Sequence, residues 1–152
     1  MKISGHPKES KRTGLITLIV IVNIIGWITT EGVWVYFHLS GQIPGIEAAS
    51  SYWESAYIGL INGFTAADAI WSNLSLLFSI IGLWRMKAWG WTAAIMANTI
   101  WLYSMTFTLV RDFYTGLTAG TAFFLVFAGF AIFSTVYLWK QRRLFWREEI
   151  TS

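Results

Sequence analysis

Four apolar runs, at about residues 14–39, 64–84, 88–110 and 117–139, leave this chain few ways to fold. A hydrocarbon core of roughly 30 Å takes about 20 helical residues at about 1.5 Å each, and every run reaches that length. None alternates with the two-residue period of a strand, and a helix satisfies its own backbone hydrogen bonds inside lipid. The expected fold is therefore all-α, a single transmembrane domain over residues 1–152 built as a four-transmembrane-helix bundle. With 55% of the chain apolar and only 12% charged, composition places it with polytopic membrane proteins.

Basic residues orient the bundle. Lys2, Lys8, Lys11 and Arg12 precede the first run, Arg85 and Lys87 fill the connection after the second, and Lys140, Arg142, Arg143 and Arg147 follow the fourth. All fall on one side, which the positive-inside rule makes cytoplasmic, so both termini are expected there as short tails. The other side carries Arg111, followed at once by Asp112, while Glu47 and Glu54 occupy a longer connection. Headgroup anchoring in the lipid bilayer accounts for the positive balance, and no nucleic-acid partner is expected. The chain has no cysteine, which excludes disulfides, thiolate metal sites and thiol redox chemistry. His6 lies in the inner tail and His38 at the far end of the first run, so no two-histidine site forms within one chain and no metal or cofactor is expected.

The connection "SGQIPGIEAASSYWESAYIGLING" opens with turn residues at Pro44 and Gly45, and Ser51 with Glu54 then has capping-box spacing. Trp53, Tyr57, Leu60 and Ile61 fall on one side of the helix so started. This pattern predicts a short interfacial helix lying over the outer opening. Gly116 and Gly120 stand in GxxxG spacing, which lets membrane helices approach closely; a homodimer or a membrane partner subunit follows as one expectation.

Counting from the inner charges gives depth. Trp71 to Arg85 and Lys87 to Trp101 are each fourteen residues, and Arg12 to Trp27 is fifteen. The three indoles are thus expected at one level, roughly 21 Å above the inner boundary, with Glu31 near the level of Asp68. Steps of three or four residues join Asn23, Trp27, Glu31, Trp34 and His38 on the first helix, and Asp68, Ser72, Ser75 and Ser79 on the second. Asn98 and Trp101 begin a less regular stripe on the third. Polar groups facing lipid would each cost several kcal/mol, so these stripes are expected to face one another. Asn23, Asn73 and Asn98 sit near the midplane, where interhelical hydrogen bonding is their expected role. Below them the second run reads "LLFSIIGLW", which closes the interior toward the cytoplasm.

Glu31 and Asp68 carry the functional argument, because intramembrane acids usually face a cavity and often mark function. No run contains a Lys or Arg to neutralise them. The candidate ligand-binding set is Trp27, Glu31, Trp34, Asp68, Trp71, Asn98 and Trp101, surrounding an outward-facing cavity. Acids can hold an amine or hydroxyl, and indole faces a cation or ring system, so a small amphipathic or lipid-like ligand is the first reading. An accessory subunit of a larger membrane complex is the alternative, followed by an isomerase or a proton-coupled transporter; no catalytic residue is identified. The layout resembles that of EXPERA-type four-helix proteins, which have cytoplasmic termini, a longer first outer connection and acids on the first two spans. The resemblance is confined to Glu31, Asp68 and the nearby aromatics, and it implies a sterol-like amphiphile as ligand or substrate.

Overall fold

The computed structural model describes residues 12–40, 52–117 and 119–146. Among these residues it contains four α-helices, α1 (Gly14–Ser40), α2 (Tyr52–Trp84), α3 (Ala88–Thr115) and α4 (Ala119–Lys140), then a 3-10 turn at Arg142–Leu144, and no strand. Three helices are long and apolar enough to cross a membrane, over Gly14–Gly32, Ala88–Tyr114 and Thr121–Lys140; the apolar part of α2, Ala69–Trp84, is shorter. Each helix packs mainly on its neighbours in sequence, α1 on α2, α2 on α3 and α3 on α4.

Two sequence expectations change here. The segment read as a separate interfacial helix is instead the first part of α2, which runs unbroken from Tyr52 to Trp84. No proline interrupts it, and Gly59 and Gly63 face open space within the continuous helix. The turn at Pro44 and Gly45, and the cap at Ser51, lie outside the described residues. The GxxxG face is also absent, because Gly116 ends α3 with a φ of 111° and α4 starts only at Ala119. Its N–H bonds to the Asp112 carbonyl at 2.8 Å, a helix stop that only glycine makes without strain. Asp112 completes this outer corner: its carboxylate accepts bonds from Arg111 Nη2 at 2.7 Å and from Thr121 Oγ1 of α4 at 2.7 Å.

The opposite corner, between α2 and α3, is tighter. Lys87 N–H reaches the Gly82 carbonyl at 2.9 Å and Met86 N–H the Leu83 carbonyl at 3.1 Å, the paired bonds of a Schellman stop. Met86 takes the left-handed position with a φ of 54°, and its side chain packs against the adjacent core. Immediately above, Gly82 and Gly90 bring the two backbones into contact: a Cβ on either would overlap the other's backbone. The hairpin therefore depends on two missing side chains.

At this end all four helices converge. Ile16, Ile19 and Val20 of α1, Leu83 of α2, Ala94 of α3 and Leu138 of α4 form one buried cluster, with Phe145 folded back beneath it. Helix ends leave carbonyls without partners, and neighbouring helices supply donors here. Trp91 Nε1 bonds the Leu138 carbonyl in the last turn of α4 at 2.9 Å. Arg12 reaches the Trp84 carbonyl at 3.3 Å while its guanidinium lies 3.6 Å over the Trp84 ring. Thr13 and Tyr137 join α1 to α4 through a 2.7 Å hydroxyl pair. This packing gathers Arg12, Arg85, Lys87 and Lys140 at one end of the molecule, as the sequence led us to expect.

Candidate functional site

Two contacts set the register of the helices. Asn23 Nδ2 of α1 donates to Ser79 Oγ of α2 at 2.7 Å, fully buried, so these antiparallel helices are level at 23 and 79. Gly82 against Gly90 does the same for α2 and α3. Moving outward, Glu31 is eight residues beyond Asn23 and Ser72 seven beyond Ser79. At about 1.5 Å per residue they share a level to within about 2 Å. Trp101, eleven beyond Gly90, joins them, since Ser72 is ten beyond Gly82.

A second apolar and aromatic cluster straddles this level. Leu76, Ala97, Trp101 and Met105 form a second buried cluster, with Trp27, Phe124 and Phe127 packed on it. Helical side chains lean toward their own N-terminus, which for α3 is the basic end, so the Trp101 ring reaches down and covers Gly26 of α1. A Cβ at Gly26 would strike the ring. Phe127 meets Trp101 edge-on at 5.8 Å. Trp27 and Trp101 are thus brought together, although the Asn23–Ser79 register places Trp27 about 6 Å deeper than the level expected from the sequence.

The other candidate residues separate. Trp71 shares the level of Trp101 but is 60% exposed, on the outside of the bundle. Asn98 is buried with its amide committed to α4, donating to Ser134 Oγ at 2.8 Å and Thr135 Oγ1 at 3.0 Å. Glu31 is partly buried on the α1 stripe that also carries Asn23 and Trp27 inward, and no cationic partner stands beside it among the described residues. Asp68 lies on α2 one turn beyond Ser72, about 4–5 Å further out than Glu31 rather than level with it. Trp34 and His38 lie on α1; the side chains of Asp68, Trp34 and His38 are outside the described set.

Asn73 was expected to make interhelical hydrogen bonds like Asn23 and Asn98, and Ser72 to line the interior; the structure buries both, but their side-chain oxygens are unpaired. Ser72 is 1% and Asn73 9% exposed, yet Ser72 Oγ and Asn73 Oδ1 have no hydrogen-bond partner in the structure. Buried polar atoms are nearly always paired, since an unpaired one costs about 1–3 kcal/mol. Ser72 belongs to the Asp68–Ser79 stripe, which was a signal for burial; nothing in the sequence separates it from Ser79, whose hydroxyl is paired.

Along α3 just beyond Trp101, an open and largely apolar groove of about 420 Å³ is lined by Leu102, Tyr103, Thr106, Phe107 and Val110. Chemically, the level of Glu31 combines a carboxylate, a hydroxyl and an amide oxygen above indoles and an apolar seal. No group of three or more metal-ligating side chains occurs among the described residues. Comparison of the chain with protein-family models, with curated proteins and with solved structures finds no match in any of the three.

Proposed function

We propose that all four helices span the membrane with both termini cytoplasmic, and that the outer half of the bundle binds a small amphipathic molecule. The observation carrying the reading is the pair of buried, unpartnered atoms Ser72 Oγ and Asn73 Oδ1 on the level of Glu31. A ligand head seated there would meet polar atoms that the protein itself leaves unpaired, with Trp27 and Trp101 in the cluster that straddles this level. Trp34 and Asp68 lie further out along α1 and α2. Asn98, already bonded to α4, serves packing, and Trp71 faces lipid.

Brominated alkyl amphiphiles quench tryptophan on contact and test the binding reading directly. Saturable quenching of the wild type that disappears in the Glu31→Gln/Asp68→Asn variant supports it; equal, unsaturable quenching in both proteins rejects it. The absence of native cysteine makes topology equally accessible to test. A Gln141→Cys variant is expected to label only from the cytoplasmic side of sealed vesicles and Leu117→Cys only from the other. Labelling of both from one side would remove α4 as a span.

A further inference from the structure

We propose that the head group bound at the level of Glu31, Ser72 and Asn73 is a protonated amine; the inference rests on the binding reading above and names its ligand class. Deeper amide donors are spent, Asn23 on Ser79 and Asn98 on Ser134 and Thr135. The Thr30 hydroxyl, next to Glu31, donates to the Gly26 carbonyl at 2.9 Å. Ser72 Oγ and Asn73 Oδ1 remain buried and unpaired at this level, both able to accept, and the Glu31 carboxylate has no cationic partner among the described residues.

Charge points the same way. Residues 13–84, 88–110 and 112–139 contain no Lys or Arg, yet they carry Glu31 and Asp68. Arg111, the nearest basic residue to the outer end, has its Nε and Nη2 on the Asp112 carboxylate. An acid in a low-dielectric site is stabilised by a cation; Arg111 of α3 is bonded to Asp112, so the ligand brings the one for Glu31. A primary ammonium has three N–H donors for three acceptors, whereas a hydroxyl has one. A carboxylate or phosphate head would add a like charge and donate nothing.

Equilibrium dialysis of radiolabelled dodecylamine, dodecanol and dodecanoate against the full chain in phosphatidylcholine nanodiscs, with empty discs subtracted, tests this. Saturable dodecylamine binding is expected, with dodecanol and dodecanoate each weaker by about tenfold or more. Glu31→Gln should weaken the amine by about tenfold or more, and Ser72→Ala by less, while leaving dodecanol little changed. Ser72→Ala removes only an unpaired atom, so its fold is expected to persist and the test stands if Glu31→Gln fails to assemble. Dodecanol or dodecanoate binding as tightly as the amine overturns the amine assignment and leaves the binding reading intact. Saturable amine binding unchanged in both variants also overturns the assignment. No saturable binding of any of the three probes overturns both.

Discussion

The two halves of this bundle use the same polar residue types to opposite effect. Toward the basic end, Asn23 finds Ser79, Asn98 finds Ser134 and Thr135, and even the exposed carbonyls of α2 and α4 are met by Arg12 and Trp91. Two turns further out, Ser72 on the Ser79 face of α2 and its neighbour Asn73 are also buried, and their side-chain oxygens find nothing. Burial of an amide or hydroxyl therefore does not tell a structural contact from a binding group. Pairing does, because a buried polar atom without a partner is a cost that packing alone would have removed. The inner half pairs its buried polar groups across helices; the outer half leaves Ser72 Oγ and Asn73 Oδ1 unpaired, which is what the proposed binding role rests on.

The sharpest way to break this contrast is at the inner hairpin. Gly82→Ala inserts a methyl into the Gly90 backbone, so α2 and α3 must separate. Destabilisation of about 3 kcal/mol is expected, read as a lower thermal midpoint in detergent or loss of a monodisperse species. Gly90→Ala should match it, and the double variant should cost less than the sum, because one separation relieves both overlaps. An unchanged melt would mean the helices do not meet there. Next in size is Asn23→Val, which strands Ser79 and is expected to cost about 1 kcal/mol, with Asn23→Val/Ser79→Ala recovering part of it in a double-mutant cycle. Smallest, and opposite in sign, is Ser72→Ala. Removing an unpaired buried hydroxyl is expected to raise stability by up to about 1 kcal/mol in ligand-free protein. A loss of stability comparable to that of Asn23→Val would show that Ser72 is paired and erase the distinction between the halves.

Much of the scaffold was legible in the sequence for simple reasons. Helix positions follow from apolar length, and the gathering of Arg12, Arg85, Lys87 and Lys140 at one end follows from their alternating placement between runs. Depth was less accurate. Counting from charges assumes straight, parallel helices, and it placed Trp27 level with Trp101, whereas the Asn23–Ser79 contact sets it about 6 Å deeper. The two rings still meet, because the Trp101 side chain leans back toward the start of α3. Gly116 and Gly120 matched a packing motif by spacing, but Gly116 is used as a helix stop. The contact that does rely on glycine, Gly82 with Gly90, joins two helices across a turn and has no fixed spacing to recognise. Ser72 and Asn73 were legible as buried and illegible as unpaired, since pairing depends on side-chain rotamers and on where a neighbouring helix happens to place a partner.

The glycine contact and the Schellman stop beneath it bear on how the chain enters a bilayer. On the four-span reading, α2 has the shortest apolar stretch and would partition least readily alone. Its stop is made from bonds among residues 82 to 87 only, so the turn forms without help from α1 or α4. Helix α2 and the longer apolar α3 are then free to leave the translocation machinery as a closed hairpin, with the second helix of the pair supplying the hydrophobicity that the first lacks.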